Sequence, residues 1–380
     1  MIYADNAATT RISDSVFEKM IPFLREQYGN ASSQYSLGVK AKRAVEHARR
    51  QVAVAIGADA SEITFTSGGS EANSWVIQCV AEKLHNKPMH IITSAIEHHS
   101  VFNACIALER SGVEVTYIPV STKGLVEVAD IKTVIKPHTK LVSIMLANNE
   151  IGTIQPIAEI GRLLKDKGIL FHTDAVQAVG HIPVDVNDLG VDFLTASAHK
   201  FNGAKGTGIL YKRTGIELSP LVFGGEQEQG LRAGTENVAG IVSAGYAIEE
   251  NVIEMGVTSK RLKEMADATV EGIKEKIPSV RVNGNIEKCL PGTVNLSFDG
   301  VSGESLMHLL DLKGICVSTS SACTAGKDAP SHVLCALGLN EQQAKSAIRI
   351  SYGKYNTMDE ASKIIIAICD TYEKIIINRM

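Results

Sequence analysis

The sequence predicts an α/β protein: a mostly parallel sheet with helices on both faces, followed by a smaller α+β unit. Three observations carry this. Seven short β-branched or apolar runs (62–65, 90–93, 113–118, 141–145, 169–172, 191–195 and 208–211) alternate with amphipathic stretches through the first two thirds of the chain, the pattern of strands joined by crossover helices. Polar clusters follow these runs: Ser67 to Ser70, Glu97-His98, Asn148-Asn149, Asp174 to Gln177 and Ser197 to Lys200. Ligands of such sheets bind at the carboxyl ends of the strands, where these clusters fall. Finally, a charged stretch over 249–277 carries Val252, Met255, Leu262, Met265, Val270 and Ile273 at helical spacing and reads as a long connecting helix at the boundary between two units. Beyond it, 292–298, 315–318 and 347–351 read as strands separated by helical segments.

A chain of 380 residues fits a large domain plus a smaller one. We expect 15–255 to form the large unit, and 1–14 with 256–380 the small one. Hydrophobic residues make up 44% and charged residues 21%, with a net charge of −4, which gives no cue for direct nucleic-acid or membrane binding. The N-terminus has no basic and apolar leader pattern and no apolar run reaches membrane-spanning length, so a cytoplasmic location is expected. Seven cysteines at irregular spacing form neither CxxC metal pairs nor the even framework of a secreted scaffold. Reduced thiols and no metal site are expected. Cys79, Cys105 and Cys369 sit in apolar helical contexts, whereas Cys323 lies among small and polar residues, Ser318-Thr319-Ser320-Ser321-Ala322 before it and Thr324-Ala325-Gly326 after it.

Asp174, in His172-Thr173-Asp174-Ala175-Val176-Gln177, and Lys200, in Ser197-Ala198-His199-Lys200, end neighbouring strand candidates. Pyridoxal phosphate needs such a pair, a lysine for its Schiff base and an aspartate to keep its ring nitrogen protonated. Further motifs occur in order: Asp5-Asn6-Ala7-Ala8-Thr9-Thr10, Phe65-Thr66-Ser67-Gly68-Gly69-Ser70-Glu71, Glu97-His98-His99, Ala147-Asn148-Asn149-Glu150-Ile151-Gly152 and Arg232-Ala233-Gly234-Thr235. Together with Cys323 and Ile348-Arg349-Ile350-Ser351, they make the chain resemble the NifS-like/IscS-like cysteine desulfurases, from Tyr3 nearly to the end.

That resemblance implies a fold-type I pyridoxal 5′-phosphate homodimer with a seven-stranded sheet, acting on L-cysteine. Lys200 would carry the cofactor, Asp174 would face its ring nitrogen, and Asn149 and Gln177 would lie near its phenolic oxygen. Gly69, Ser70, Ser197 and His199 would hold the phosphate, helped by the helix dipole at the glycine-rich turn, and Thr235 would reach it from the partner subunit. His98 would stack on the ring and move protons. Arg349 would bind the substrate carboxylate, a guanidinium fork matching two carboxylate oxygens, with Asn6 as a further substrate-site candidate. Cys323 would attack as a thiolate, leaving alanine and an enzyme persulfide. A sulfur-acceptor protein, either an iron–sulfur scaffold or a tRNA-thiolation enzyme, would take that sulfur, and Cys323 could contact an iron–sulfur cluster during transfer. A selenocysteine lyase or transaminase on the same fold is the enzymatic alternative, and a non-catalytic sulfur-trafficking protein is the alternative from another class. The chain departs from the commonest pattern at Ala31 and Tyr35, where Pro and His are usual, at Ala204, where Pro is usual, and at Gln229, where Arg is usual.

Overall fold

The computed structural model describes residues 1–82, 88–319 and 329–377, and of Glu82 only the backbone. In chain order the strands are β1 (Ile2–Tyr3), β2 (Ile63–Thr66), β3 (His90–Ser94), β4 (Glu114–Ile118), β5 (Thr139–Ser143), β6 (Leu170–Asp174), β7 (Phe193–Ser197), β8 (Gly208–Lys212), β9 (Arg281–Val282), β10 (Thr293–Ser297), β11 (Ile315–Cys316), β12 (Ser318–Thr319) and β13 (Ala347–Ser351). A seven-stranded sheet has the order β2-β8-β7-β6-β5-β3-β4. Pairing is parallel from β7 through β6, β5 and β3 to β4, and only β8 runs against its neighbours β2 and β7. Every residue of β2, β3 and β7 is buried. Helices on both faces leave no solvent side, so even the polar residues of these strands, such as Thr64, Thr66, Thr93 and Thr195, are buried.

The edge strand β2 is protected by a buried ion pair. Arg49 donates to Glu228 through both terminal nitrogens, at 2.7 and 2.9 Å, and Glu228 also accepts the amide of Phe65, while Arg49 donates to the carbonyl of Ile63. Edge groups that would otherwise invite another strand are thereby satisfied. The connection places Glu228 and Gln229 in the left-handed region, at φ 48° and 60°, a cost accepted where the surrounding contacts fix the backbone. Gln229, which replaces the expected Arg, directs its amide to the carbonyl of Ser61 at 3.4 Å.

Helix Val238–Lys276 runs for 39 residues, beginning well before the expected start near 249. Residues 238–248 are almost uniformly apolar and buried, so no one-sided periodicity announces them as helix. Its first third packs into the main core through Ile241, Ala244 and Ile248; its later part packs through Leu262, Met265 and Ile273 into a separate core with Leu296, Ile348 and Ile364. Between the two it crosses open ground, and Val252, one of the apolar residues at helical spacing, is 40% exposed.

The second core lies on an antiparallel sheet of order β12-β13-β10-β9. The expected strand 315–318 divides at Val317: Ile315 and Cys316 pair in parallel with Ile2 and Tyr3, whereas Ser318 and Thr319 pair with Arg349 and Ile348. One run thus serves two sheets. The N-terminus is stitched to the second core by β1 and by Ala4. At Ala204, where Pro is usual, the backbone N–H donates to the buried Ser243 hydroxyl at 2.8 Å, a bond that proline cannot make.

Candidate active site

A cavity of about 640 Å³ opens at the carboxyl ends of β2, β3, β5, β6 and β7 and is faced from the second core by Arg349. Ten expected site residues line it: Gly69, Ser70, His98, Asn149, Asp174, Gln177, Ser197, His199, Lys200 and Arg349. Thr235 and Asn6 do not. Thr235 is exposed, and the Asn6 amide is held by the carbonyl of Ser351 at 2.9 Å and by Asn356 at 3.2 Å, so Asn6 fastens the N-terminal segment to β13. Cys323 lies outside the described residues.

Lys200 closes a single helical turn, Ala198–Lys200, directly after β7. Its Nζ donates to the carbonyls of Ala7 and Ala8 at 2.5 and 2.8 Å, and Gln177 donates to the same Ala7 carbonyl at 2.9 Å. The N-terminal segment therefore forms one wall of the cavity. Asp174 ends β6 and accepts from Asn73 Nδ2 at 2.6 Å and from the amide of Val176 at 3.0 Å. Helix Gly69–Glu82 starts right after β2, turning the positive end of its dipole to the cavity, which Gly69 and Ser70 line. A Cβ at Gly69 would lie 2.6 Å from Val176 Cγ2, so a side chain there would press into the cradle between helix and strand. Glu71 folds back on the Ser67 amide and hydroxyl and is held by Arg232.

His98 caps helix His99–Glu109 and accepts from the Ser100 amide. Burial, together with the Lys200 charge, holds its pKa below the usual histidine value although Asp174 pulls it up. His199 is pushed down to about 4, by burial first and then by Lys200 and Lys205. Both shifts favour the neutral ring.

The opposite wall is built from distant parts of the chain. Arg349, on β13, donates to Asp5 at 2.6 Å and to the Asn149 carbonyl at 2.8 Å, while its buried Nε has no partner among the described residues. With five N–H donors, this guanidinium keeps capacity for an incoming carboxylate. Glu150 accepts from Ser331 at 2.5 Å, and burial pushes its carboxyl up to about 7 despite Arg349 nearby. Glu97, held by Ser94 and the Met145 amide, is pushed up to about 8, chiefly by burial. Sequence reading assigned no role to Asp5, Asn73, Ser100, Glu150 or Ser331. Asp5 and Glu150 stood inside motifs already singled out, but their partners lie far away in sequence; Asn73 and Ser100 gave no signal beyond their helical positions.

A lysine and an aspartate at adjacent strand ends, faced by the N-terminus of a helix in an open and mainly parallel sheet, fit a planar phosphorylated aldehyde. Its phosphate suits the helix end at Gly69, its ring nitrogen suits Asp174, and its aldehyde carbon suits an amine at Lys200. This defines the class of fold-type I pyridoxal-phosphate proteins. The family model "Aminotransferase class-V" matches residues 2–364. The cysteine desulfurase IscS of Dictyoglomus turgidum is 48% identical over 375 residues, covering 99% of this chain and 94% of that protein. A solved "NIFS-LIKE PROTEIN" superposes with a TM-score of 0.92 at 41% identity, covering 97% of this chain and 98% of the other. Another, "SspA in complex with cysteine", gives a TM-score of 0.82 at 36% identity over 94% of this chain and all (100%) of that one. The chain belongs to the class-V aminotransferases, among their IscS-like and NifS-like members, and its cofactor is pyridoxal 5′-phosphate.

Proposed function

We infer that this chain is a pyridoxal-phosphate-dependent L-cysteine desulfurase. The observation that carries the reading is the convergence of Lys200, Asp174 and Arg349 on one cavity, in a chain 48% identical to a cysteine desulfurase. When bound, the cofactor supplies an electron sink for negative charge developing at the substrate Cα. Lys200 holds the cofactor and moves the proton at Cα. Asp174 holds the ring nitrogen's proton, Asn149 and Gln177 face the phenolic oxygen, and Gly69, Ser70, Ser197 and His199 hold the phosphate. Arg349 orients the cysteine carboxylate and His98 handles a proton beside the ring.

Cys323, as the thiolate, attacks the substrate sulfur. An S–S bond forms as the substrate C–S bond breaks, and the electron pair left on Cβ takes a proton to give alanine, with the sulfur held as a persulfide. A transaminase would need an amino-group acceptor, and nothing in this scheme requires one.

The two packed cores support a division into a large unit of residues 15–255 and a small unit of 1–14 with 256–380. A homodimer is supported by Tyr28, Tyr35 and Phe223, which are 72%, 61% and 85% exposed on two segments that meet where Gln227 approaches Ser32 at 3.5 Å. Burying such rings is a usual reason for association. In that dimer Thr235 would complete the phosphate site of the other subunit. The persulfide then passes to an acceptor protein for iron–sulfur cluster assembly or tRNA thiolation, in the cytoplasm; among the described residues no helix is long and apolar enough to cross a membrane.

The test is Cys323→Ala. The variant is expected to retain the visible absorbance of bound cofactor and its response to added cysteine, yet release no alanine and carry no extra sulfur. Mass spectrometry of the wild-type protein after cysteine, without reductant, should find the added sulfur on the peptide holding Cys323. Finding it on Cys316 or Cys335 would overturn the assignment.

A further inference from the structure

Asn73 joins Asp174 to His98 through Ser100. Asn73 lies on the first turns of helix Gly69–Glu82 and is 1% exposed. Its Nδ2 donates to Asp174 Oδ2 at 2.6 Å and to Ser100 Oγ at 2.9 Å. An ionised carboxylate only accepts, so the amide group must face Asp174 with its NH₂, and the rotated amide, oxygen against oxygen, is excluded. Ser100 Oγ accepts from Asn73 and lies 2.8 Å from His98 Nδ1, which also receives the Ser100 backbone N–H at 3.2 Å. Since the backbone group can only donate, Nδ1 is an acceptor in this arrangement, and the Ser100 hydroxyl proton points to it as well.

We propose that Asn73 and the Ser100 hydroxyl are positioning groups that act with the Ser100 backbone N–H to hold His98 as the neutral tautomer bearing its proton on Nε2, and so make the resting ring a hydrogen-bond donor towards the cavity and not a base. This deepens the proton-handling role proposed for His98 and rests on that reading. With Nδ1 filled by two donors, His98 cannot gain a second proton unless Ser100 lets go, so it enters the reaction as a hydrogen-bond donor from Nε2 and can give that proton up only once Nδ1 has taken another. The first proton abstraction from substrate then falls to Lys200. The titratable groups that act on the ring are Asp174, which favours protonation, and Lys200, His99 and His332, which oppose it; none is altered by changing Asn73 or Ser100. A buried amide with both hydrogens engaged, in a chain that ends on the anion expected to face the cofactor, makes the tautomer a property of the fold.

The experiment is ¹⁵N NMR of histidine-labelled holoenzyme near neutral pH, with the His98 signals assigned by their loss in His98→Gln. The wild-type protein is expected to show an unprotonated Nδ1 and a protonated Nε2. In Ser100→Ala and in Asn73→Ala, signals intermediate between the two tautomers are expected. The protonation midpoint of His98 should rise by about one pH unit, roughly tenfold in its binding constant, because in Ser100→Ala protonation displaces only the backbone N–H, and in Asn73→Ala the Ser100 hydroxyl is free to turn and accept from a protonated Nδ1. Ser100→Thr, which keeps the hydroxyl, should restore the wild-type pattern. A protonated Nδ1 in the wild-type protein, or a spectrum unmoved by both alanine variants, would overturn the proposal. Because the readout does not depend on turnover, the expected tautomer in a protein that releases no alanine from cysteine would sink the desulfurase reading alone, and alanine release with the proton on Nδ1 would sink this one alone.

Discussion

The two walls of the cavity are made in opposite ways. On the cofactor side, Asp174 ends β6, and Gly69, His98, Asn149 and Lys200 follow β2, β3, β5 and β7, each delivered by its strand. On the substrate side, Arg349 reaches Asp5 across 344 residues and Ser331 reaches Glu150 across 181. The first wall belongs to one sheet and is positioned by its hydrogen-bond ladder. The second exists only when the second core is docked, because each of its contacts joins distant parts of the chain. From this difference, and from the site roles proposed above, cofactor binding and substrate binding are expected to separate by mutation: damage to the first wall should abolish everything, whereas damage to the second should weaken recognition and leave the cofactor in place.

The largest effect tests the first wall. Lys200→Ala is expected to remove the absorbance of covalently held cofactor and all alanine release from cysteine, since no other amine lines the cavity among the described residues. Activity retained without an added amine would show that the carbonyls of Ala7 and Ala8 hold a lysine of purely structural use.

For the second wall, Arg349→Lys keeps the charge and loses the fork. The contact to Asp5 or to the Asn149 carbonyl must then give way, and a carboxylate can no longer be held at two points. A lost charged hydrogen bond is worth about 1.5–3 kcal/mol, so KM for cysteine should rise about 10- to 150-fold while the cofactor spectrum is unchanged. A spectral change equal to that of Lys200→Ala would break the proposed separation of the walls.

The smallest effect is on stability. The Glu97 carboxyl, pushed from 4.5 up to about 8 by burial, keeps its proton in the folded protein over a range where the unfolded chain has released it. The folded state then binds more protons, so this group's contribution is fully present below about 4.5 and is lost as pH rises towards about 8. Glu97→Gln preserves the acceptor for Ser94 and the Met145 amide and cannot ionise. Its denaturation midpoint should therefore fall less than that of the wild-type protein between these limits; parallel curves would show that Glu97 is not protonated in the fold.

Much of the architecture was legible. Strands buried on both faces appear as short β-branched runs, and a parallel sheet must place the residues that follow those runs along one edge. That is why Asp174, His98 and Lys200 could be singled out together. Where periodicity fails, legibility fails with it: residues 238–248 are apolar on every side and concealed the first turns of the long helix, and the run 315–318 gave no sign that it would divide between two partners at Val317.

By itself, then, the sequence determined the sheet and the order of the polar clusters along its edge, because each follows from local pattern within a few residues. Only the tertiary structure decided which carbonyls receive Lys200, that Asn6 fastens β13 instead of lining the cavity, that Asp5 shares Arg349, and that Asn73 and Ser100 connect Asp174 to His98. These are contacts of single hydrogen bonds between remote segments. Their geometry depends on how separately formed elements pack, and no local preference encodes it.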